Sequence, residues 1–104
     1  MIPSVGRIVQ YKLNEGDVTA INKRRTDAET SKLARENTGA IVHVGNSVNV
    51  GDVYPLGITR GWEAMPTEGT PVNGQVMLDG NDLYWATSRA QGHENGQWFE
   101  PVRV

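Results

Sequence analysis

The sequence predicts a mainly β fold with an α insertion: a small SH3-like barrel, or alternatively an OB-like one, of about five strands with a helical arm after the first strand. Three observations carry this. Val5-Gly6-Arg7-Ile8-Val9-Gln10-Tyr11 alternates in polarity and is dense in β-branched residues. The second half of the chain repeats short strand-like runs separated by Gly, Asn and Asp. Between them, residues 14–38 lose the period of two and read as helical.

In the first strand Ile8 and Gln10 face one way, and Arg7, Val9 and Tyr11 the other. Asn14-Glu15-Gly16-Asp17 then reads as a helix start, with Asn14 as N-cap and acids in the first turn. Val18 and Ile21, with Ala20 beside them, supply a short apolar stripe. Lys23-Arg24-Arg25 suits a helix C-terminus, where cations meet the negative end of the dipole. Thr26-Asp27-Ala28-Glu29 matches the capping box, so a second helix is expected from Thr26, ending at Thr38-Gly39. The arm carries few large apolar residues and must therefore lie on the barrel or on another subunit.

Ala40-Ile41-Val42-His43-Val44 reads as a short strand or an extended link, and turn signals flank Val48-Asn49-Val50. Val53 to Trp62 reads as a strand in which Leu56 and Ile58 share a face with Arg60 or Trp62, and Pro55 belongs at its start or on an edge. Residues 65–71 form a loop. The clearest alternation is Val72 to Asp79: Val72, Gly74, Val76 and Leu78 face one side, Asn73, Gln75 and Met77 the other. Asp79-Gly80-Asn81-Asp82 is a hairpin turn, and Leu83 to Ser88 returns as its partner. A polar loop around His93 leads to a last short strand, Gln97 to Arg103. No linker divides the 104 residues, so one domain is expected, with the barrel core at 5–12 and 40–104 and the helical insertion at 14–38.

Ten Lys and Arg against 12 Asp and Glu give a formal charge of −2, which argues against broad, charge-driven nucleic-acid binding. Cysteine is absent, so neither disulfides nor a thiolate zinc site can form. No apolar stretch approaches the roughly 20 residues that span a membrane, and residues 1–7 lack the apolar core of a signal peptide. A cytosolic protein is the simplest expectation.

Several segments together carry a resemblance: Pro3-x-Val5-Gly6-Arg7-Ile8-Val9-x-Tyr11, Ile21-Asn22-Lys23-Arg24-Arg25, Val72-Asn73-Gly74-Gln75-Val76-x-Leu78-Asp79-Gly80-Asn81-Asp82, and Trp85 with Trp98-Phe99-Glu100-Pro101. Over nearly its whole length the chain resembles a family of small proteins of tailed bacteriophages and prophages. It departs from the family in having Gln10 where His is frequent, and Trp98-Phe99-Glu100-Pro101 where a Trp-x-Trp-Pro ending is frequent. The resemblance implies a phage gene expressed in the cytoplasm of the infected bacterium. It brings no catalytic motif.

The residues supply none either. His43 and His93 stand near no Gly-x-Ser-x-Gly elbow, and His93-Glu94 is not a His-Glu-x-x-His motif. Asp79-Gly80-Asn81-Asp82 lacks the spacing of a calcium loop, Ala90 standing where the bidentate Glu would be. No P-loop occurs. We therefore expect no catalytic residues, no metal and no cofactor. What remains is a cation-rich arm and a surplus of aromatics. Residues 22–36 hold five cations against three acids. Arg offers phosphate a bidentate fork, and an exposed Trp offers a base a stacking face. The candidates for stacking are Trp62, Trp85 or Trp98; for phosphate, Arg24, Arg25, Arg60 or Arg89.

The leading expectation is a non-enzymatic protein that sequesters a nucleotide-type signal of bacterial immunity, as phage anti-defence sponges do, from a homo-oligomer assembled through the helical arm. The alternative is a structural or protein-interaction module, either a virion accessory or a binder of a host protein. Nucleic-acid binding ranks third, and an enzyme last.

Overall fold

The computed structural model describes residues 2–34, 46–62, 70–80 and 82–101, and of 28–34 the backbone alone. Five strands and one helix follow in the order β1 (Ile8–Lys12), α1 (Glu15–Ala34), β2 (Val53–Gly61), β3 (Val72–Met77), β4 (Leu83–Arg89) and β5 (Trp98–Phe99). The strands form one antiparallel sheet in the order β4-β3-β2-β1-β5. Among the described residues the sheet does not close. Its two edges meet at one corner, where the Trp98 amide donates to Ala90 O and the Gly92 amide to Trp98 O, at 3.1 and 2.9 Å. The expected SH3-like or OB-like barrel thus stands at the coarser level of a curled sheet with a helix after its first strand.

The alternation read from the sequence sets the core. Val9 and Tyr11 of β1, Leu56 and Ile58 of β2, Val72 and Val76 of β3, Ala86 of β4 and Trp98 of β5 are buried on one face. Each such aliphatic side chain contributes about 1.5–3 kcal/mol by leaving water. Gly74 lies opposite Ile58 and beside the Leu56 side chain on this face: a Cβ there would run into that side chain and lie 2.7 Å from Gly57 O. Pro55 sits within β2 without breaking a ladder. Ile58 of β2 exchanges its bonds with the β1 side, so the odd-numbered residues face β3, and the β2–β3 pairing begins only at Leu56.

The arm differs from expectation. A single helix runs from Glu15 to Ala34, so Lys23-Arg24-Arg25 lies in its middle and Thr26 is inside it rather than at the start of a second helix. No Gly or Pro interrupts residues 17–34, and continuing a helix costs less than nucleating a second one. The N-cap is as read: the Asp17 amide donates to Asn14 Oδ1 at 2.8 Å, and the Asn14 amide to Asp17 Oδ2 at 3.0 Å. The predicted helix end at Thr38-Gly39 and the strand or link at Ala40–Val44 lie outside the described residues.

Among the helix side chains described, Asp17, Ile21 and Arg25 are buried. Their spacing of four puts them on one stripe. Two of the three are charged, which is why no apolar period marks this face. Asn22 adds a pair of bonds to the loop before β2, donating to Val48 O and accepting from the Val48 amide, both at 3.0 Å. No helix among the described residues is long and apolar enough to cross a membrane.

Candidate functional site

Strands β2, β3 and β4 fall out of regular register around one residue, Asn73. On one side Ile58 pairs with Gly74 and Arg60 with Asn73, leaving Thr59 as an extra residue in β2. On the other, Gly74 pairs with Ala86 and Val72 with Arg89, so Thr87 and Ser88 together face Asn73. Ser88 takes a left-handed φ of 53°. Bulges re-aim side chains, and they cluster where strands serve a site. Here they converge on the Asn73 carboxamide, whose Oδ1 accepts from Trp62 Nε1 at 3.0 Å and from the Ser88 amide at 2.8 Å. Arg60 completes the group, its guanidinium 4.2 Å from the centroid of the Trp62 ring.

Gly74 faces the core, so its neighbour Asn73 faces outward, yet it is buried, with Trp62 and Ser88 bonded to its carboxamide. The outer face continues in two rows. Trp85, Gln75, Gly57 and Ile8 stand opposite one another across four strands. Leu83 stands opposite Met77, and Pro55, Gln10 and Phe99 continue from β2 to β5. Trp62, Trp85, Leu83 and Ile8 are 46%, 59%, 51% and 53% exposed, an apolar surface that only an occupant would remove from water. Asn73 and Gln75 are two positions apart, so the two indoles rise from places roughly 7 Å apart along β3.

The structure divides the residues singled out from the sequence. Trp62, Arg60 and Trp85 share the outer face. Trp98 does not join them: it is fully buried, its indole N–H donating to Arg89 O at 3.0 Å, and it offers no face for stacking. The other three arginines serve the helix. Arg24 Nη2 and Arg25 Nη2 donate to the Asp82 carboxylate at 2.9 and 3.1 Å, and Arg25 Nη2 also reaches Asp79 O at 3.3 Å. Arg89 Nη2 donates to Asp17 Oδ1 at 2.9 Å while its guanidinium lies 5.7 Å from the Tyr11 ring centroid. Arg25 and Arg89 therefore hold α1 to the two ends of β4, on the side of the sheet away from Trp62 and Trp85. Each keeps one buried nitrogen without a hydrogen-bond partner, Arg25 Nη1 and Arg89 Nε.

These anchors shape the local electrostatics. Burial opposes ionisation of Asp82, but hydrogen bonds from Arg25 and Arg24 prevail and hold its carboxyl below the ordinary value. Burial raises Tyr11 well above the usual phenol range, and its O–H, donated to Asp17 Oδ2 at 2.5 Å, raises it further. Tyr84 is raised by burial and then by the charge of Asp17.

Asn73, Gln75 and Leu83 were not singled out from the sequence. Asn73 lies in a regular alternation that gives no sign of two bulges, which arise from pairing with strands on either side. Among the described residues no group of three or more His, Asp or Glu could hold a metal ion. Compared with family models, curated proteins and solved structures, the chain matches none.

Proposed function

We propose that the chain is a non-enzymatic binding protein that holds a nucleotide-type ligand on the outer face of its sheet, with the base stacked on Trp62 or Trp85 and a phosphate at Arg60. The observation that carries this reading is the fixed pair of a cation and an aromatic ring: Arg60 lies 4.2 Å over Trp62, whose edge is held by Asn73. Such a surface combines a stacking face with a charge that already sits beside it. With the phage resemblance, the ligand class is the cyclic or ADP-ribose-derived signals of bacterial immunity, and the setting is the infected cell. The strand order and the corner between Ala90–Gly92 and Trp98 favour an SH3-like barrel over an OB-like one, since the meander β2-β3-β4 returns through β5 to the side of β1.

Calorimetry with a panel of cyclic dinucleotides and ADP-ribose cyclic isomers tests this. Binding is expected, weakened about tenfold or more by Trp85→Ala or Arg60→Ala, since a stacked base contributes about 1–3 kcal/mol. If no member of the panel binds, the reading fails.

The apolar rows favour a second reading, a protein-interaction module, because Ile8, Leu83 and Trp85 extend the surface beyond what one base covers. Finding the protein in purified virions by mass spectrometry supports that reading.

A further inference from the structure

We infer that Gln75 selects the base of the ligand, its carboxamide taking the N6/N7 edge of an adenine while Arg60 takes the phosphate. The inference rests on the ligand reading above and names the base within it. The outer face of β3 presents two carboxamides, and they differ. Asn73 is spent, its Oδ1 accepting from Trp62 Nε1 at 3.0 Å and from the Ser88 amide at 2.8 Å. Gln75 is two residues on and half-buried, and among the described residues its side chain has no hydrogen-bond partner. It stands opposite Trp85 on one side and Gly57 on the other.

Gly57 leaves room for a ring beside that carboxamide. Among the described residues a Cβ built there would meet the Met77 side chain alone, at an ordinary 3.5 Å. Charge complements a phosphate nearby. Strands β2, β3 and β4 hold no Asp or Glu. Of their two cations, Arg89 is matched by Asp17, while Arg60 lies over Trp62. The face thus offers one positive charge, a ring beside it and an amide edge, which answer the phosphate, the face and the edge of a single nucleotide. A carboxamide sets one donor beside one acceptor. Adenine meets both, with N7 as acceptor and the N6 amino group as donor. Guanine shows two acceptors on that edge, O6 and N7, and one of them would go unmet.

Calorimetry with adenine and guanine forms of one ligand reads the preference: cyclic di-AMP against cyclic di-GMP, and ADP-ribose against GDP-ribose. The unmodified chain should bind the adenine form about tenfold or more tightly. Gln75→Arg, which offers two donors to O6 and N7, should turn the ratio toward guanine. Gln10→Arg adds the same charge to the same face on β1 and should leave the ratio unchanged. Because Gln75→Arg can fail to fold, Gln75→Ala gives a second reading, in which the two forms should bind alike. Equal binding by the unmodified chain, or a preference that both Gln75 variants leave in place, overturns the inference with the ligand reading intact. If neither pair binds, the inference falls, and the ligand reading falls with it only when the cyclic isomers of ADP-ribose also fail to bind.

Discussion

Arg89 at the end of β4 and Asp17 in the first turn of α1 form an ion pair at 2.9 Å, with the Asp17 side chain 1% exposed. Asp17 also caps its own helix and accepts the Tyr11 hydroxyl. One carboxylate thus links the N-terminus of α1 to β1 and β4. Its lone pairs are well used, so its burial is tolerated, but any loss strands several partners at once.

Asp17→Ala should accordingly destabilise the fold by about 3–5 kcal/mol, since it leaves the Arg89 charge and the Tyr11 hydroxyl without their acceptor. Urea unfolding measures this. In a double-mutant cycle, Arg89→Met should cost much less in the Asp17→Ala background than alone; additive losses would show that the two side chains are not coupled.

Alkaline pH should weaken the fold. Tyr11, Tyr54 and Tyr84 are all raised above the ordinary phenol value, chiefly by burial. A group raised on folding contributes stability that is complete below its unfolded value, about 10 for tyrosine, and is lost as pH rises past it. The urea midpoint should therefore fall above about pH 10. Tyr11→Phe should flatten that fall, and an equally steep decline in the variant would assign it to other groups.

At the acid end the sign reverses. Asp82 is lowered on folding, so its contribution is present above the unfolded carboxylate value of about 3.9 and disappears as pH falls below it. Asp82→Asn should be less stable than the unmodified chain at neutral pH, and the gap between them should narrow below about pH 4. Urea midpoints measured for both proteins across that range check this; a gap independent of pH would mean that the Asp82 charge does not anchor α1.

The sheet was largely legible in the sequence because its inner face obeys a period of two: Val9 and Tyr11, Leu56 and Ile58, Gly74 and Val76 all face where alternation puts them. Tyr84 and Trp85 likewise point to opposite sides. The arm was less legible. Its buried stripe is Asp17, Ile21 and Arg25, and two charges on a buried face look like a solvated helix until Arg89 and Asp82 are seen beside them, more than fifty residues away in sequence. The candidate site was half legible. Arg60 and Trp62 are two residues apart in sequence, but their placement depends on two bulges formed with different neighbours. Trp98 reads from the sequence equally as platform or core, and its full burial opposite Tyr11, with its indole N–H on Arg89 O, makes it core.

Gly74 gives a direct test of the inner face. An alanine Cβ would collide with the Leu56 side chain, which could turn aside, and would sit 2.7 Å from Gly57 O, which could not without moving β2. Gly74→Ala should cost about 1–3 kcal/mol, the usual penalty for overpacking a close approach. Combining it with Leu56→Ala should recover little, because the backbone clash remains. Full recovery in the double variant would assign the strain to the side chain alone.

The Asn73 carboxamide is the last joint to test, because it couples the bulge in β4 to the platform on β2. Its Oδ1 accepts two N–H groups, from Trp62 and Ser88, and a carboxylate can accept both as well. Asn73→Ala removes the acceptor and should cost about 1–3 kcal/mol through the unpaired Ser88 amide. It should also free the Trp62 ring, so that acrylamide quenches its fluorescence more readily. Asn73→Asp should keep both bonds and restore the quenching of the unmodified chain. Trp98→Phe and Trp85→Phe leave Trp62 as the sole tryptophan, whose emission is excited selectively over tyrosine for this comparison. If Asn73→Asp behaves like Asn73→Ala, the acceptor is not what holds the ring; if neither variant alters quenching, Trp62 is held by Arg60 alone.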